Sequence, residues 1–190
     1  MNSPDDKKIR LFTALAVPPF LGMQIDALPR RGLEGRWSPL EDFHITLRFI
    51  GDVSPEVVPN IQEALERVRR PEFMVVVQGL GFFGTGRQAV LYAAVASTRK
   101  MTALCAGITD ALAPVVASLG IEFLPRPFIP HITLARLNRL GGLAGYIEDN
   151  KKQVSARWEA KSFCLMRSRQ ISEKGSHYSV LNEYPLMPEN

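Results

Sequence analysis

The sequence has only two cysteines and three histidines among its 190 residues. Cys105 and Cys164 lie far apart in apolar segments, so they match neither a paired zinc spacing nor a redox motif. We expect both to be core thiols, because a free cysteine packs as a small hydrophobic residue. A disulfide scaffold and a cysteine-rich metal site are therefore not indicated, and each histidine becomes informative.

Long hydrophobic runs are also missing. No apolar run approaches the roughly 20 residues that a membrane-spanning helix requires, and the first ten residues lack the hydrophobic segment of a secretory signal. Hydrophobic residues make up 46% of the chain and charged residues 22%, as in globular proteins. We therefore expect a cytosolic protein with no membrane partner, folded as one domain over residues 1–190.

The charge of the chain is positive, and its basic residues are mostly arginine. The formal net charge is +4, and 16 of the 23 basic residues are Arg. A guanidinium group presents a planar fork of donors that matches phosphate oxygens. This composition favours a polyanionic partner and phosphate chemistry.

Local patterns predict strands grouped with helices that do not strictly alternate with them, which is typical of an α+β fold with antiparallel sheets. The predicted strands are 11–17, 43–49, 73–77, 90–95, 131–134, 163–166 and 178–184. Four helices are predicted. The first follows Pro19 and ends at about Leu28, and the second begins after Ser54, with a start delayed by Pro59. The third covers 101–119 with a kink at Pro114, and the fourth covers 143–150.

Two connections are predicted to be irregular. The segment 30–39, with Gly32, Gly35 and Pro39, predicts a loop, and Gly51-Asp52 predicts the end of a strand. The glycine-rich segment 79–86 predicts a turn between antiparallel strands, because it matches no phosphate-binding loop and no helix follows it.

One tetrapeptide occurs twice: His44-Ile45-Thr46-Leu47 returns 87 residues later as His131-Ile132-Thr133-Leu134. On a strand, residues i and i+2 share one face, so each copy presents an imidazole and a hydroxyl together and turns Ile and Leu to the core. Two such pairs across a cleft would place a phosphodiester between a general base and a general acid.

The competing interpretations of the histidines are weaker. A lone strand His followed by Thr is usually a satisfied polar pair without chemistry, but the duplication argues against this. Two imidazoles without a third ligand make a poor zinc site, so we expect no metal and no other cofactor. His177 lies outside both motifs, and we expect it at the surface or in a turn.

The paired motifs and their flanks resemble the RNA 2′,3′-cyclic phosphodiesterases of the 2H phosphoesterase superfamily, formerly called 2′-5′ RNA ligases. The resemblance extends from Leu11 to Leu186. Its further elements are Arg36-Trp37-Ser38-Pro39, Arg126-Pro127-Phe128-Ile129-Pro130, Arg136, and the closing segment 168–186 with Gly175, Tyr178 and Pro185-Leu186.

The resemblance implies a bilobal fold of two antiparallel sheets with outer helices around a central cleft, each lobe carrying one motif. It implies hydrolysis of an RNA 2′,3′-cyclic phosphate, or of a small cyclic nucleotide, to a 2′-phosphate. In this assignment His131 is the proton acceptor, His44 is the proton donor, and Thr46 and Thr133 hold the phosphate oxygens. A cleft formed within one chain needs no partner, so we expect a monomer.

The arginines are harder to place. Arg48 shares the face of His44 if the strand is regular, and could then point at phosphate. Arg136 is the phosphate ligand that the resemblance favours, but simple alternation puts it on the wrong face unless a bulge or a strand end lies near Ala135. Arg126 and Phe128 could contact a sugar or a base, with ordinary packing as the alternative for Phe128.

Three other functions stay open at this point. The same site could serve a 2′-5′ RNA ligase or a 2′,5′-phosphodiesterase. A catalytically inactive RNA-binding module would keep the basic surface, but we would expect it to have lost one histidine, and both motifs are intact.

Overall fold

The computed structural model describes residues 8–84, 88–121, 123, 127–172 and 175–188. The strands in these ranges are β1 (Ile9–Ala16), β2 (Gly35–Trp37), β3 (His44–Val53), β4 (Phe73–Phe83), β5 (Ala89–Val95), β6 (His131–Leu137), β7 (Ser155–Ala160), β8 (Ser162–Ser172) and β9 (Gly175–Pro185). The α-helices are α1 (Pro19–Asp26), α2 (Val58–Glu66), α3 (Arg99–Ala117) and α4 (Leu143–Asn150).

The strands form an antiparallel sheet in the order β7-β4-β5-β6-β3-β1-β8-β9, with β2 added beside β6. The predicted α+β class is confirmed. The two expected sheets are joined, because Ile45 of β3 pairs with Ile132 of β6. Each half of the sheet still carries one motif: β3 lies with β1, β8 and β9, and β6 lies with β2, β5, β4 and β7.

The second and fourth residues of each motif lie in the core, as strand alternation predicts. The side chains of Ile45, Ile132 and Leu134 are fully buried, and Leu47 is nearly so. Burying an aliphatic side chain of this size stabilises the fold by about 1.5–3 kcal/mol. The same packing turns the His and Thr of each motif to the opposite face of the sheet.

The long helix α3 is capped and packed as a core helix. The Thr98 hydroxyl accepts a hydrogen bond from the Met101 amide at 3.2 Å. By length and composition alone, the 19 residues of α3 are long and apolar enough to cross a membrane. Its buried stripe nevertheless belongs to the core, with Met101, Leu104, Ile108 and Leu112 fully buried.

Both cysteines are free and buried, as predicted. Burial raises the pKa of the Cys105 thiol to about 12 and that of Cys164 to about 11. A thiol in such surroundings stays protonated at neutral pH and is unreactive.

Several predicted boundaries are wrong, and they have tertiary causes. The segment predicted as a turn at 79–86 continues as strand β4 through Phe83, because 80–83 pair with β5. The segment predicted as loop 30–39 contains β2, which is extended because it pairs with β6. Strand β3 continues through Gly51 to Val53 because β1 pairs with it over that length. Strand β7 was not predicted, since an edge strand of alternating exposed and half-buried residues carries little hydrophobic signal.

Gly35 allows β2 to approach β6 closely. A Cβ atom at this position would lie 2.3 Å from the Arg136 carbonyl oxygen and 2.6 Å from the Leu137 Cα. Both of these are backbone atoms, so the strands themselves would have to separate.

We therefore expect Gly35→Ala to destabilise the protein by about 1–3 kcal/mol, the usual effect of overpacking. Thermal unfolding should show a Tm lowered by roughly 2–10 °C. Gly145→Ala is the matched control, because its added methyl meets nothing within 4 Å and alanine favours helix. If Gly35→Ala unfolds at the wild-type temperature, the close approach of β2 and β6 is wrong.

Candidate active site

A cleft of about 740 Å³ is lined by residues from both halves of the sheet. The polar residues of both motifs face it: His44 and Thr46 from β3, and His131 and Thr133 from β6. The two imidazoles face the same cleft, as predicted.

The register explains the spacing of these four side chains. Since Ile45 lies opposite Ile132 in an antiparallel pair, the residue opposite His44 is Thr133, and Thr46 lies opposite His131. The two histidines are then diagonal neighbours, with Cα atoms roughly 7–8 Å apart. Such a separation leaves room for one small group between the rings.

Both imidazoles are held in the same way. The Nδ1 atom of His44 lies 2.7 Å from the Asp42 carbonyl oxygen, and that of His131 lies 2.8 Å from the Ile129 carbonyl oxygen. A carbonyl oxygen can only accept, so in each ring Nδ1 carries the hydrogen and donates it. The Nε2 atom is left in each ring to take up or release a proton.

Aromatic rings pack around each imidazole. His44 contacts Phe12 and Tyr178, with ring centroids 4.9 and 4.8 Å away. His131 contacts Phe83 at 4.9 Å and Tyr92 at 5.5 Å. These contacts fix the orientation of both rings.

The two histidines differ in their electrostatic surroundings. Burial lowers the pKa of His44 to about 4, the hydrogen bond to the Asp42 carbonyl opposes this shift, and charge on His131 adds to it. In the empty cleft His44 is therefore neutral at neutral pH.

A β-bulge follows the threonine of each motif. Across β6, Tyr92 pairs with Thr133 but Leu91 pairs with Ala135, so Leu134 is the extra residue. The bulge that Arg136 needs near Ala135 is therefore present, and Arg136 lines the cleft.

The first motif has the equivalent bulge. Thr13 pairs with Arg48 while Ala14 pairs with Thr46, which leaves Leu47 as the extra residue of β3. The cleft-facing position five residues after the histidine is therefore taken by Phe49, where the second motif has Arg136.

The prediction that Arg48 lies on the cleft face is wrong. Because the bulge reverses the alternation, Arg48 turns towards α3, where its Nε donates to the Thr109 hydroxyl at 2.9 Å. Its guanidinium group also lies 5.2 Å from the centre of the Phe123 ring. Arg48 does not line the cleft in the described part of the chain.

The loop before the second motif is described only in part. Arg126 lies outside the described residues. Phe128 is partly buried and packs against the core, in line with the packing alternative.

His177 is exposed at the surface, as predicted, and it also lines the cleft from β9. Its Nδ1 atom is 3.5 Å from a carboxylate oxygen of Asp42, which is only 4% exposed. The same oxygen accepts a hydrogen bond from the Tyr178 amide at 3.2 Å. Asp42 thus holds β9 through its side chain and His44 through its carbonyl.

The sequence reasoning missed Asp42 as a site residue. The only signal was its position two residues before His44, and Ile129 has the same position before His131. Burial raises the pKa of the Asp42 carboxyl, while the Tyr178 amide and His177 oppose the shift.

No group of three or more His, Cys, Asp or Glu side chains that could hold a metal ion occurs among residues that the structure describes. Metal independence is a property of the reaction, so it stays a prediction.

The chain is similar to a family of known enzymes. The model of the LigT-like phosphoesterases matches residues 25–92, which include the first motif. An RNA 2′,3′-cyclic phosphodiesterase of Aeropyrum pernix is 28% identical, over 83% of this chain and 90% of that protein. One of Thermus thermophilus is 26% identical, over 96% and 92%.

Solved structures of this fold are also similar. E. coli LigT complexed with 3′-AMP has a TM-score of 0.76 at 24% identity, over 94% of this chain and 98% of that one. The TT0787 protein of Thermus thermophilus has a TM-score of 0.72 at 26% identity, over 95% and 100%. These likenesses extend over both halves of the sheet and both motifs.

The low pKa of His44 can be measured in solution. We expect its ring protons to titrate with a midpoint near pH 4 by NMR, with His44→Gln identifying the resonance. Inorganic phosphate should move the midpoint upwards by about one unit or more, because a nearby anion stabilises the imidazolium. A midpoint near the ordinary histidine value without phosphate would contradict the burial of this ring.

Proposed function

This chain belongs to the LigT-like phosphoesterases, and we propose that it hydrolyses the 2′,3′-cyclic phosphate at RNA ends to a 2′-phosphate without a metal ion. One observation carries the proposal: two imidazoles with free Nε2 atoms and two threonines face a single cleft. The names of the curated relatives support the choice of substrate.

In the proposed mechanism, His131 is the general base. Its Nε2 takes a proton from water, the water oxygen forms a bond to phosphorus, and the bond from phosphorus to the 3′ oxygen breaks. His44 donates its Nε2 proton to the leaving 3′ oxygen. The two histidines together accept one proton and donate one. The products are a 2′-phosphate and a 3′-hydroxyl.

The role of His44 as an acid requires the substrate. A ring with a pKa of about 4 is neutral in the free enzyme, so it can donate a proton only after the phosphate anion has raised its pKa. Substrate binding and protonation are therefore coupled. Charge on the phosphate compensates for the burial of the imidazolium.

The remaining site residues bind the phosphate. Thr46 and Thr133 donate hydrogen bonds to its non-bridging oxygens, and the Arg136 guanidinium balances its charge. Contacts of Arg126 and Phe128 with a sugar or a base stay predictions.

We also propose that the chain acts as a monomer of two lobes on cytosolic RNA. The support is that the two halves of one sheet, each with one motif, together form the whole cleft.

The direct test is hydrolysis of an oligonucleotide that ends in a 2′,3′-cyclic phosphate, with and without EDTA. We expect turnover that survives the chelator and yields a 2′-phosphate, identified by ³¹P NMR. A 3′-phosphate product or loss of turnover in EDTA would contradict the mechanism. RNA binding without turnover would favour the inactive module, and joining of RNA ends or cleavage of 2′,5′ linkages would favour the other two activities.

Histidine variants serve as controls in the same assay. His44→Ala and His131→Ala should each lose roughly 10²–10⁴-fold in kcat and keep their circular dichroism spectra. His177→Ala should lose less than about tenfold in kcat. Larger losses are expected only for His44 and His131, which transfer the protons in the proposed mechanism.

A further inference from the structure

The wall of the cleft beside β6 carries two arginines, of which only Arg136 has a proposed role. Arg36 on β2 lies directly opposite Arg136 in the antiparallel register, and both side chains line the cleft. Directly opposed residues share a face, with Cβ atoms about 5 Å apart. The two guanidinium groups are therefore neighbours.

This pairing is unfavourable for the fold alone. Like charges directly opposite each other on a sheet are destabilising. In the described ranges neither Arg36 nor Arg136 forms an ion pair, and the residue opposite Arg136 on β5 is Val90. Arg36 is near enough to the Asp42 carboxylate to help lower the pKa of that group, but it forms no direct ion pair with it, so two arginines without an ion-pair partner lie side by side in the described part of the cleft.

The third cleft arginine differs in this respect. Arg10 donates two hydrogen bonds to the Asp52 carboxylate, at 3.0 and 2.9 Å, so its charge is largely balanced. The acidic residues of the cleft, Glu41 and Asp42, lie beside the first motif. A polyanionic chain is therefore attracted to the wall formed by β2 and β6.

The arginine pair is also displaced from the reaction centre. Arg136 lies four residues along β6 from Ile132, where the two motifs meet, and because Leu134 between them is the extra residue of the bulge, the separation is roughly 10 Å. This distance exceeds the size of one phosphoryl group. Arg136 can reach back towards Thr133, and Arg36 lines the cleft beside it from the outer strand β2.

We propose that Arg36 forms a second phosphate subsite, which binds the internucleotide phosphate on the 5′ side of the cyclic end. This inference rests on the proposed function and extends it. The protein then distinguishes an RNA end from a free cyclic mononucleotide, because only the RNA end has a phosphate at this position.

The test compares a nucleoside 2′,3′-cyclic phosphate with the same compound carrying a 5′-phosphate. We expect wild-type protein to favour the 5′-phosphorylated compound by roughly tenfold in kcat/KM, as for one charge-assisted contact. In Arg36→Gln the ratio should fall to about one, and Arg36→Lys should keep part of it. Arg157→Gln, which removes an exposed strand arginine outside the cleft, should keep the wild-type ratio.

Two outcomes would overturn the subsite. In the first, Arg36→Gln keeps both the ratio and the wild-type activity, so Arg36 binds no phosphate. In the second, both substrates lose activity equally, which places Arg36 on the reacting phosphate. Calorimetry can compare the affinity for a nucleoside 3′,5′-bisphosphate with that for the 3′-monophosphate. This comparison tests the phosphate subsite without requiring turnover. If wild-type protein hydrolyses neither cyclic compound, the proposed function fails, and loss of the bisphosphate preference in Arg36→Gln still decides on the subsite.

Discussion

The backbone pairing of Ile45 with Ile132 is the contact on which the site depends. It joins the two halves of the sheet and sets two distant copies of one tetrapeptide antiparallel to each other. A shift of one residue in this register would turn the histidines to the core and the isoleucines to the cleft. The complete burial of both isoleucines opposes such a shift, so core packing fixes the distance between the imidazoles.

The two half-sites share a plan and differ in their surroundings. Each has a ring held through Nδ1 by the carbonyl two residues earlier, a threonine, and a bulge at the motif's leucine. The position after the bulge is Phe49 in one half and Arg136 in the other. Duplication thus provides two similarly held imidazoles, while burial lowers the pKa of His44 to about 4 and Arg136 adds a positive charge only in the second half.

The sequence alone predicted what depends on periodicity and repetition. The duplicated motif identified both histidines and both threonines of the cleft, and the conflict between Arg136 and strand alternation predicted either a bulge or a strand end, of which the structure has the bulge. The position of Arg48 could not be predicted, because the bulge at Leu47 is visible only in the pairing with β1. Strand β2 and the contact of Asp42 with β9 depend on residues far away in the chain.

The central claim is that both imidazoles act on one phosphoryl group. The most direct measurement is a crystal structure with a nucleoside vanadate, whose metal centre imitates phosphorus during the displacement. The account predicts that the Nε2 atoms of His44 and His131 lie on opposite sides of the vanadate, each within about 3.2 Å of one of its oxygens. A vanadate that contacts only one of the two rings, or that binds outside the cleft, would contradict it.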